Sequence, residues 1–429
     1  MRILHTSDWH LGVTMKHLRC EAEQAAFLDW LATVITDRDV DVLIVAGDVF
    51  HHASPSNAAR KLYYDFLVRC ASIASLKKVV ITGGNHDSPS GLDAPREVLN
   101  SLDVHVVGGL PYDRDERDHC LCPIENDDGD VELVVAAVPY VAEARLGIGH
   151  HYDEDESTLK TRFHDAYRQL YVELADQAQR QWPDIPLVAT GHLTCYDDEA
   201  QRQDTDFDTE LHRAGPADNS RRVGTIGAFS PGIFDERFSY VALGHIHRCF
   251  PPCKERHIWY SGTPVATKST ENTPRYVLIV DIDVDGESPR VDPVKVPRQR
   301  AIHALNGTTD ELLKGLDAVE SNPDFPAYLF INAELSTDEE TGSALKKVEA
   351  HLEANFPIPG RPRIAEYRDH YPERADDFDA QTDEKPLEEL SPMDVFLKMY
   401  QARHPDRDEP SSELVHTFHT VLDALTDED

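Results

Sequence analysis

Five short apolar runs in this chain each break off into a turn that carries glycine together with aspartate, asparagine or histidine. This repeated pattern constrains the fold more than any other feature. Residues 3–4 lead into Asp8, Trp9 and His10, and residues 42–45 into Gly47 and Asp48, with His51 and His52 just beyond. Residues 79–82 lead into Gly84, Asn85, His86 and Asp87. Residues 187–190 lead into Gly191 and His192, and residues 240–243 into Gly244, His245 and His247. Helical periodicity at 21–36 and 58–73 separates the first three runs, the alternation expected of an α/β domain. In such a sheet, residues just past the carboxyl ends of the strands converge on one crevice. The pattern therefore gathers three carboxylates, one amide and several imidazoles at a single place.

That donor set suits two divalent cations. A carboxylate can bridge two metals, and imidazoles mixed with oxygen donors favour manganese, iron or zinc over calcium. Two cations roughly 3.5–4 Å apart can activate water and stabilise the charge of an in-line displacement at phosphorus. The set includes no serine or cysteine nucleophile elbow, so direct attack by water is the natural reaction. Glycines beside the donors allow tight turns and close approach of backbone.

Apolar runs at 104–107, 131–138 and 276–282 add strands, which predicts two packed sheets flanked by helices. A long helix is expected at 157–180. A polar loop is expected at 196–229, with Arg213, Arg221 and Arg222 as surface charges. Residues 293–297 read as a linker between a first domain over 1–292 and a small α+β domain over 298–372. The latter should hold helices at 309–319 and 341–355 and strands at 327–333 and 363–367. An acidic linker over 373–390 precedes a tail over 391–429 with two amphipathic helices, at 391–402 and 411–425. Pro392, Val395, Phe396, Met399 and Tyr400 stripe one helix, and Leu414, Val415, Phe418, Val421 and Leu422 the other.

Charge argues against a nucleic-acid partner at first sight. Asp plus Glu number 78 against 42 Lys plus Arg, a formal net charge of −36, whereas phosphate neutralisation normally supplies much of the affinity for DNA. A salt-rich cytosol, in which screening is short-ranged, would accommodate such a surface. The seven cysteines lack zinc-ribbon spacing and read as free buried thiols. His150 and His151 read as surface residues, and Trp9 as packing. No apolar stretch approaches the roughly 20 residues that cross a bilayer. Residues 1–5 run into a strand without a leader pattern, so a cytoplasmic protein is expected.

The blocks HTSDWHLG at 5–12, AGDVF at 46–50, GNHDS at 84–88, TGHL at 190–193 and ALGHIH at 242–247 resemble the calcineurin-like metallophosphoesterase superfamily. Within it they resemble the SbcD nucleases, prokaryotic relatives of the meiotic recombination nuclease. One block alone is a weak signal, and five in order are specific. The resemblance implies an α/β fold, a two-sheet α-β-β-α metallophosphoesterase sandwich with a small α+β capping domain that positions DNA and a helical C-terminal tail. It implies that Asp8, His10 and His247 hold a first metal, that Asn85, His192 and His245 hold a second, and that Asp48 bridges them. His86 would be the general acid or transition-state stabiliser, oriented by Asp87, and His51 would assist at the DNA phosphate, with His52 as the alternative imidazole.

The cofactors implied are two Mn²⁺ ions, with Mg²⁺ serving less well. The implied activity is exonuclease on double-stranded ends and endonuclease on hairpins or single strands, in end processing, recombination and double-strand-break repair at the nucleoid. The implied partners are DNA, an SbcC-type SMC-like ABC ATPase docked through the C-terminal helices, and a second copy of the chain, giving a homodimer and heterotetramer to which helix 58–73 contributes.

Two other readings use the same residues. A small-molecule phosphodiesterase or nucleotidase would suit the acidic charge, and the extra domains oppose it. A scaffold that tethers the ATPase to DNA ends would not need the complete ligand set. A single His or Asp after a strand is more often a turn or capping residue, and Asp87 reads equally well as a cap. Five such coincidences in family order are what that bland reading requires.

Overall fold

Two-residue alternation sorts the apolar side chains of each strand onto opposite faces, and that alternation builds a sandwich. The computed structural model describes residues 1–148, 156–196, 228–269, 271, 273–283, 288–336 and 339–371, with Phe396, Tyr400, Pro410, Val415 and Phe418 of the tail. Most of the expected polar loop, with Arg213, Arg221 and Arg222, lies outside these residues, as do His150, His151 and the acidic linker.

The chain opens with β1 (Arg2–Thr6), the short pair β2 (Thr14–Met15) and β3 (Leu18–Arg19), α1 (Glu21–Asp37), β4 (Val42–Ala46) and α2 (Asn57–Cys70). It continues through β5 (Lys78–Thr82), α3 (Pro89–Asp93), α4 (Arg96–Asn100), β6 (Val104–Val107), β7 (Leu121–Glu125), β8 (Val131–Ala136) and α5 (Glu156–Gln181). Then follow β9 (Leu187–His192), β10 (Phe238–Gly244), β11 (Phe250–Cys253), β12 (Ile258–Tyr260), β13 (Tyr276–Asp281) and β14 (Arg290–Lys295). These strands form two six-stranded sheets, ordered β14-β13-β1-β4-β5-β6 and β11-β12-β10-β9-β8-β7.

Ile3, Val42, Ile44 and Val80 of the first sheet share a core with Val134, Tyr240 and Leu243 of the second. Their neighbours Leu4, Leu43, Val45 and Ile81 face the other way, toward Leu31 of α1 and Phe66 and Leu67 of α2. Phe163, Tyr167, Leu170 and Leu174 of α5 join the core of the second sheet. The layering is therefore α-β-β-α. His5 is the polar stitch between the sheets, with Nδ1 2.9 Å from the Tyr240 hydroxyl and Nε2 3.2 Å from the Leu243 carbonyl. Trp9 packs as expected, its ring edge-on to Phe27 and Phe66. All seven cysteines are free and buried. No helix of the described residues is long and apolar enough to cross a membrane.

The linker expected at 293–297 is largely strand. β14 pairs antiparallel with β13 from Tyr276–Lys295 to Asp281–Arg290, which carries the first sheet past residue 292. Pro293 disguised it, since proline reads as a strand breaker but is tolerated where the missing N–H falls on a sheet edge. Pro123 in β7 and Pro251 and Pro252 in β11 disguised two more edge strands in the same way.

A second, smaller layer follows: β15 (Ile302–Gly307), α6 (Thr309–Asp317), β16 (Tyr328–Glu334), α7 (Ser343–Asn355) and β17 (Arg363–His370). The sequence of β15 had not marked it as a strand. The three strands are parallel, in the order β15-β16-β17. Leu329 and Ile331 pack under Leu312 and Leu316 of α6 and Val348 and Leu352 of α7. The alternate residues Tyr328 and Phe330 pack on Val13, Met15 and Cys20 of the first domain. The Tyr328 hydroxyl donates to the Arg19 carbonyl at 3.1 Å. Between the sandwich and this smaller layer Arg300 pairs with Glu23, both buried, with its guanidinium 4.3 Å from the Tyr328 ring centroid.

Residues 372–429 form a unit separate from 1–371. Within it the Phe396 and Phe418 rings stack at 4.3 Å and 18°; most other residues of the two expected helices lie outside the described residues.

Removing one partner of a buried ion pair leaves the other charge without compensation. Glu23→Ala should therefore cost about 3–5 kcal/mol of stability, read as a lower urea midpoint, with Glu23→Gln milder.

Candidate metal centre

The strand-end turns are held in backbone conformations that side chains rarely adopt. Asp8, His10, Asp48 and His245 have φ of 52°, 45°, 50° and 91°, the left-handed region that costs a non-glycine residue of order 1–3 kcal/mol. Backbone hydrogen bonds hold them there. Asp8 N–H donates to the Gly47 carbonyl at 3.0 Å and His10 N–H to the Asp48 carbonyl at 3.0 Å, so the turns after β1 and β4 run side by side. His245 N–H donates to Asp8 Oδ1 at 2.9 Å, which draws in the turn after β10. His86 N–H donates to Asp48 Oδ1 at 2.9 Å, which draws in the turn after β5. A Cβ on Gly84 would lie 2.1 Å from Asp48 Oδ1, so no larger residue fits.

The expected ligands meet where these turns converge. Asp8, His10 and His247 present donor atoms within 4.8 Å of one another, as do Asp8, Asp48 and His192. His10 Nε2 lies 3.0 Å from His247 Nε2. Asn85 Oδ1 lies 3.2 Å from His192 Nε2 and 3.1 Å from His245 Nδ1. Asp48 Oδ2 lies 3.6 Å from His10 Nε2 and 3.4 Å from His192 Nε2, so one oxygen reaches toward both groups. His192 donates its Nδ1–H to the Ala46 carbonyl at 2.9 Å, which turns Nε2 toward Asp48.

Electrostatics fit this donor set to cations. Asp8 and Asp48 are 0 % and 2 % exposed, and buried charges persist when paired or metal-bound. Burial holds the Asp8 carboxyl above its usual range, against the pull of His192 and His247. Burial at Asp48 is outweighed by His192, His10 and the His86 N–H, so this carboxylate stays well below its usual range. Burial pushes His10 well below the usual imidazole range and His245 down to about 3. Neutral imidazoles and ionised carboxylates are the forms that ligate metals.

The neighbouring histidines sort themselves. His51 Nδ1 lies 3.4 Å from His10 Nδ1, whereas the exposed His52 touches the His51 ring from outside. His51 is thus the imidazole at the centre. His86 is exposed, its ring perpendicular to His10 at 4.9 Å, and its Nδ1–H donates to the His51 carbonyl at 3.0 Å.

Asp87 does not orient the His86 ring as expected. Its carboxylate accepts from the backbone N–H groups of Gly84, Val49 and Phe50 at 2.8–3.0 Å. It ties the turn after β5 to the turn after β4, because a buried carboxylate finds its partners among the orphan N–H groups of those turns. Burial, with the Asp48 charge adding, pushes it up to about 6 against those three donors.

One residue escaped the sequence reading. Glu271 Oε1 accepts from His247 Nδ1 at 2.7 Å, behind the ring nitrogen that faces His10. It lies in no strand-end block, so nothing local marked it.

Residues 1–249 match the family model of the calcineurin-like phosphoesterases. The SbcD component of the SbcCD nuclease of Rhodobacter capsulatus is 33% identical over 368 residues, 82% of this chain and 85% of the relative. Its counterpart in Escherichia coli is 30% identical over 432 residues, covering 100% of this chain and 99% of the relative. This chain belongs to the SbcD branch of the calcineurin-like phosphoesterases. A third relative of the same name, from Bacillus subtilis, is 31% identical over 283 residues, 66% of each chain. The SbcD branch thus accounts for the sandwich, and divalent metals follow from the phosphoesterase fold and the His/Asp clusters together.

His192 provides a test of cation binding. Burial opposes its charge, but Asp48 beside it wins and pushes the imidazole up to about 9. The metal-free centre therefore keeps this proton at neutral pH, and a cation at Asp48 must displace it. Affinity for the Mn²⁺ ion that His192 holds should rise by up to about tenfold per pH unit below about 9, with close to one proton released by that ion. Calorimetry in buffers of different ionisation enthalpy measures both.

Proposed function

We propose that this chain is the DNA-cutting subunit of a complex with an SbcC-type ABC ATPase. It hydrolyses phosphodiesters as a Mn²⁺-dependent exonuclease on double-stranded ends and an endonuclease on hairpins and single strands. The observation that carries this reading is the reach of Asp48 Oδ2 toward both His10 and His192, with Asp8, Asn85, His245 and His247 around them. Asp8, His10 and His247 form the first half-site, Asn85, His192 and His245 the second, and Asp48 the bridge. A pair of divalent cations held there supplies Lewis acidity toward a phosphodiester and a lowered pKa for water.

The chain's own groups do the rest. His86, with Nδ1 committed to the His51 carbonyl, turns its remaining nitrogen to the substrate, protonating the leaving oxygen as imidazolium or stabilising charge on the phosphate. His51, next to His10, bears on the same phosphate. Asp87 acts at one remove, by fixing the turns that present Asp48 and Asn85. The capping domain over β15–β17 positions the duplex. The tail over 391–429 docks on the ATPase, and α2, which exposes Tyr64 (38%) and Val68 (58%), contributes to a homodimer. The complex acts at the nucleoid. The surplus of acid is compatible with DNA where salt shortens the reach of charge.

Cleavage of end-labelled duplex and hairpin DNA with Mn²⁺ in high salt tests the reading, with bis-p-nitrophenyl phosphate as control substrate. Asp48→Asn should abolish cleavage, and His86→Ala should slow it by about 10²–10⁴-fold. Turnover of the small ester without DNA cleavage, even with the ATPase added, would replace this reading with a small-molecule phosphodiesterase. Normal repair in cells carrying His86→Ala, with failure of a tail deletion, would instead favour a tethering scaffold.

A further inference from the structure

We propose that Glu271 is the positioning residue of the first metal half-site, and that the capping domain governs it through the segment carrying Thr267, Glu271 and Arg275. This rests on the two-metal reading above and adds an asymmetry to it.

The asymmetry lies behind the imidazoles. Among the described residues, His247 is the expected ligand whose second ring nitrogen meets a carboxylate, Glu271 Oε1 at 2.7 Å, while its Nε2 lies 3.0 Å from His10 Nε2. The counterpart behind His192 is only the Ala46 carbonyl, at 2.9 Å. Behind His10, Nδ1 meets the His51 imidazole at 3.4 Å. A carboxylate behind a ligating imidazole fixes its tautomer and ring orientation and strengthens it as a donor.

Glu271 is itself held. Its Oε2 accepts from Thr267 N–H at 2.7 Å and from Thr267 Oγ1 at 3.1 Å. Arg275 donates to the Glu271 carbonyl and to the His247 carbonyl, each at 2.7 Å. The brace therefore holds the backbone of His247 as well as its ring, and a shift of the segment moves both.

The segment's other side belongs to the domain boundary. Ala266 packs in the cluster formed by Ile302, Tyr328 and Phe330 of the capping domain. Glu271 and Arg275 line a cavity of about 530 Å³ whose further wall includes Arg300, Ile302 and Tyr328. The cavity leaves room for the segment to shift against the three-stranded layer, and the ligand bonded to the segment is His247. Cap position thus sets how well the first half-site holds its ion and leaves the second, where His192 is anchored on the Ala46 carbonyl, unaffected.

Mn²⁺ titration calorimetry of the full chain tests this. Wild type should show two binding classes, and Glu271→Gln should weaken one of them by about 10–100-fold without changing the other. Thr267→Val and Tyr328→Leu should weaken the same class by smaller factors. The metal-free melting temperature of Thr267→Val should match wild type, and saturating Mn²⁺ should restore most DNA cleavage to Glu271→Gln. Equal weakening of both classes by Glu271→Gln, or none, overturns the positioning role. An unchanged first class in Tyr328→Leu overturns the link to the cap. A wild-type chain that takes up no Mn²⁺ would count against the two-metal reading itself.

Discussion

Asp8 and Asp48 lie fully buried within reach of one another, and the rest of the architecture makes that arrangement tolerable. Two carboxylates cannot share a dry site without compensating charge, so imidazoles from three strand ends surround them. Backbone N–H groups of His245 and His86 satisfy the oxygens that the imidazoles do not reach. The left-handed backbone at both aspartates is a further cost, borne by the hydrogen bonds that lace the turns after β1 and β4 together. The sandwich beneath provides the rigidity that such strain demands.

Asp87 shows how far that support extends. Its three backbone partners lie in two different turns, so a single carboxylate sets the spacing between Asp48 and Asn85. Loss of such a residue would resemble loss of a catalytic group in an activity assay while touching no substrate. Glu271 does comparable work on the opposite side of the centre. The expected ligands are therefore only the inner part of a larger polar frame, and the frame reaches the cavity beside the three-stranded layer.

Much of this was legible in the sequence because it is local. A strand followed by glycine and a donor residue announces both the element and the place its side chains converge, so Asp8, His10, Asp48, Asn85, His192, His245 and His247 could be named together. The α-β-β-α layering followed from the same runs. What escaped was either disguised or non-local. Proline hid β7, β11 and β14, since the same residue that breaks an interior strand is harmless at an edge. The resemblance implied that Asp87 orients His86, and a capping role read equally well; its actual partners, the N–H groups of Gly84, Val49 and Phe50, lie partly in a turn 37 to 38 residues away. Glu271 stands 24 positions from His247, and only the folded chain brings them together.

Three of the four outer strands of the two sheets contain proline: β7, β11 and β14. Each interrupts the row of unpaired donors along its edge, so these three edges cannot readily recruit a further strand from another molecule. Two stacked six-stranded sheets would otherwise be a template for ribbon-like aggregation. Pairing with another copy through these three edges is thereby disfavoured.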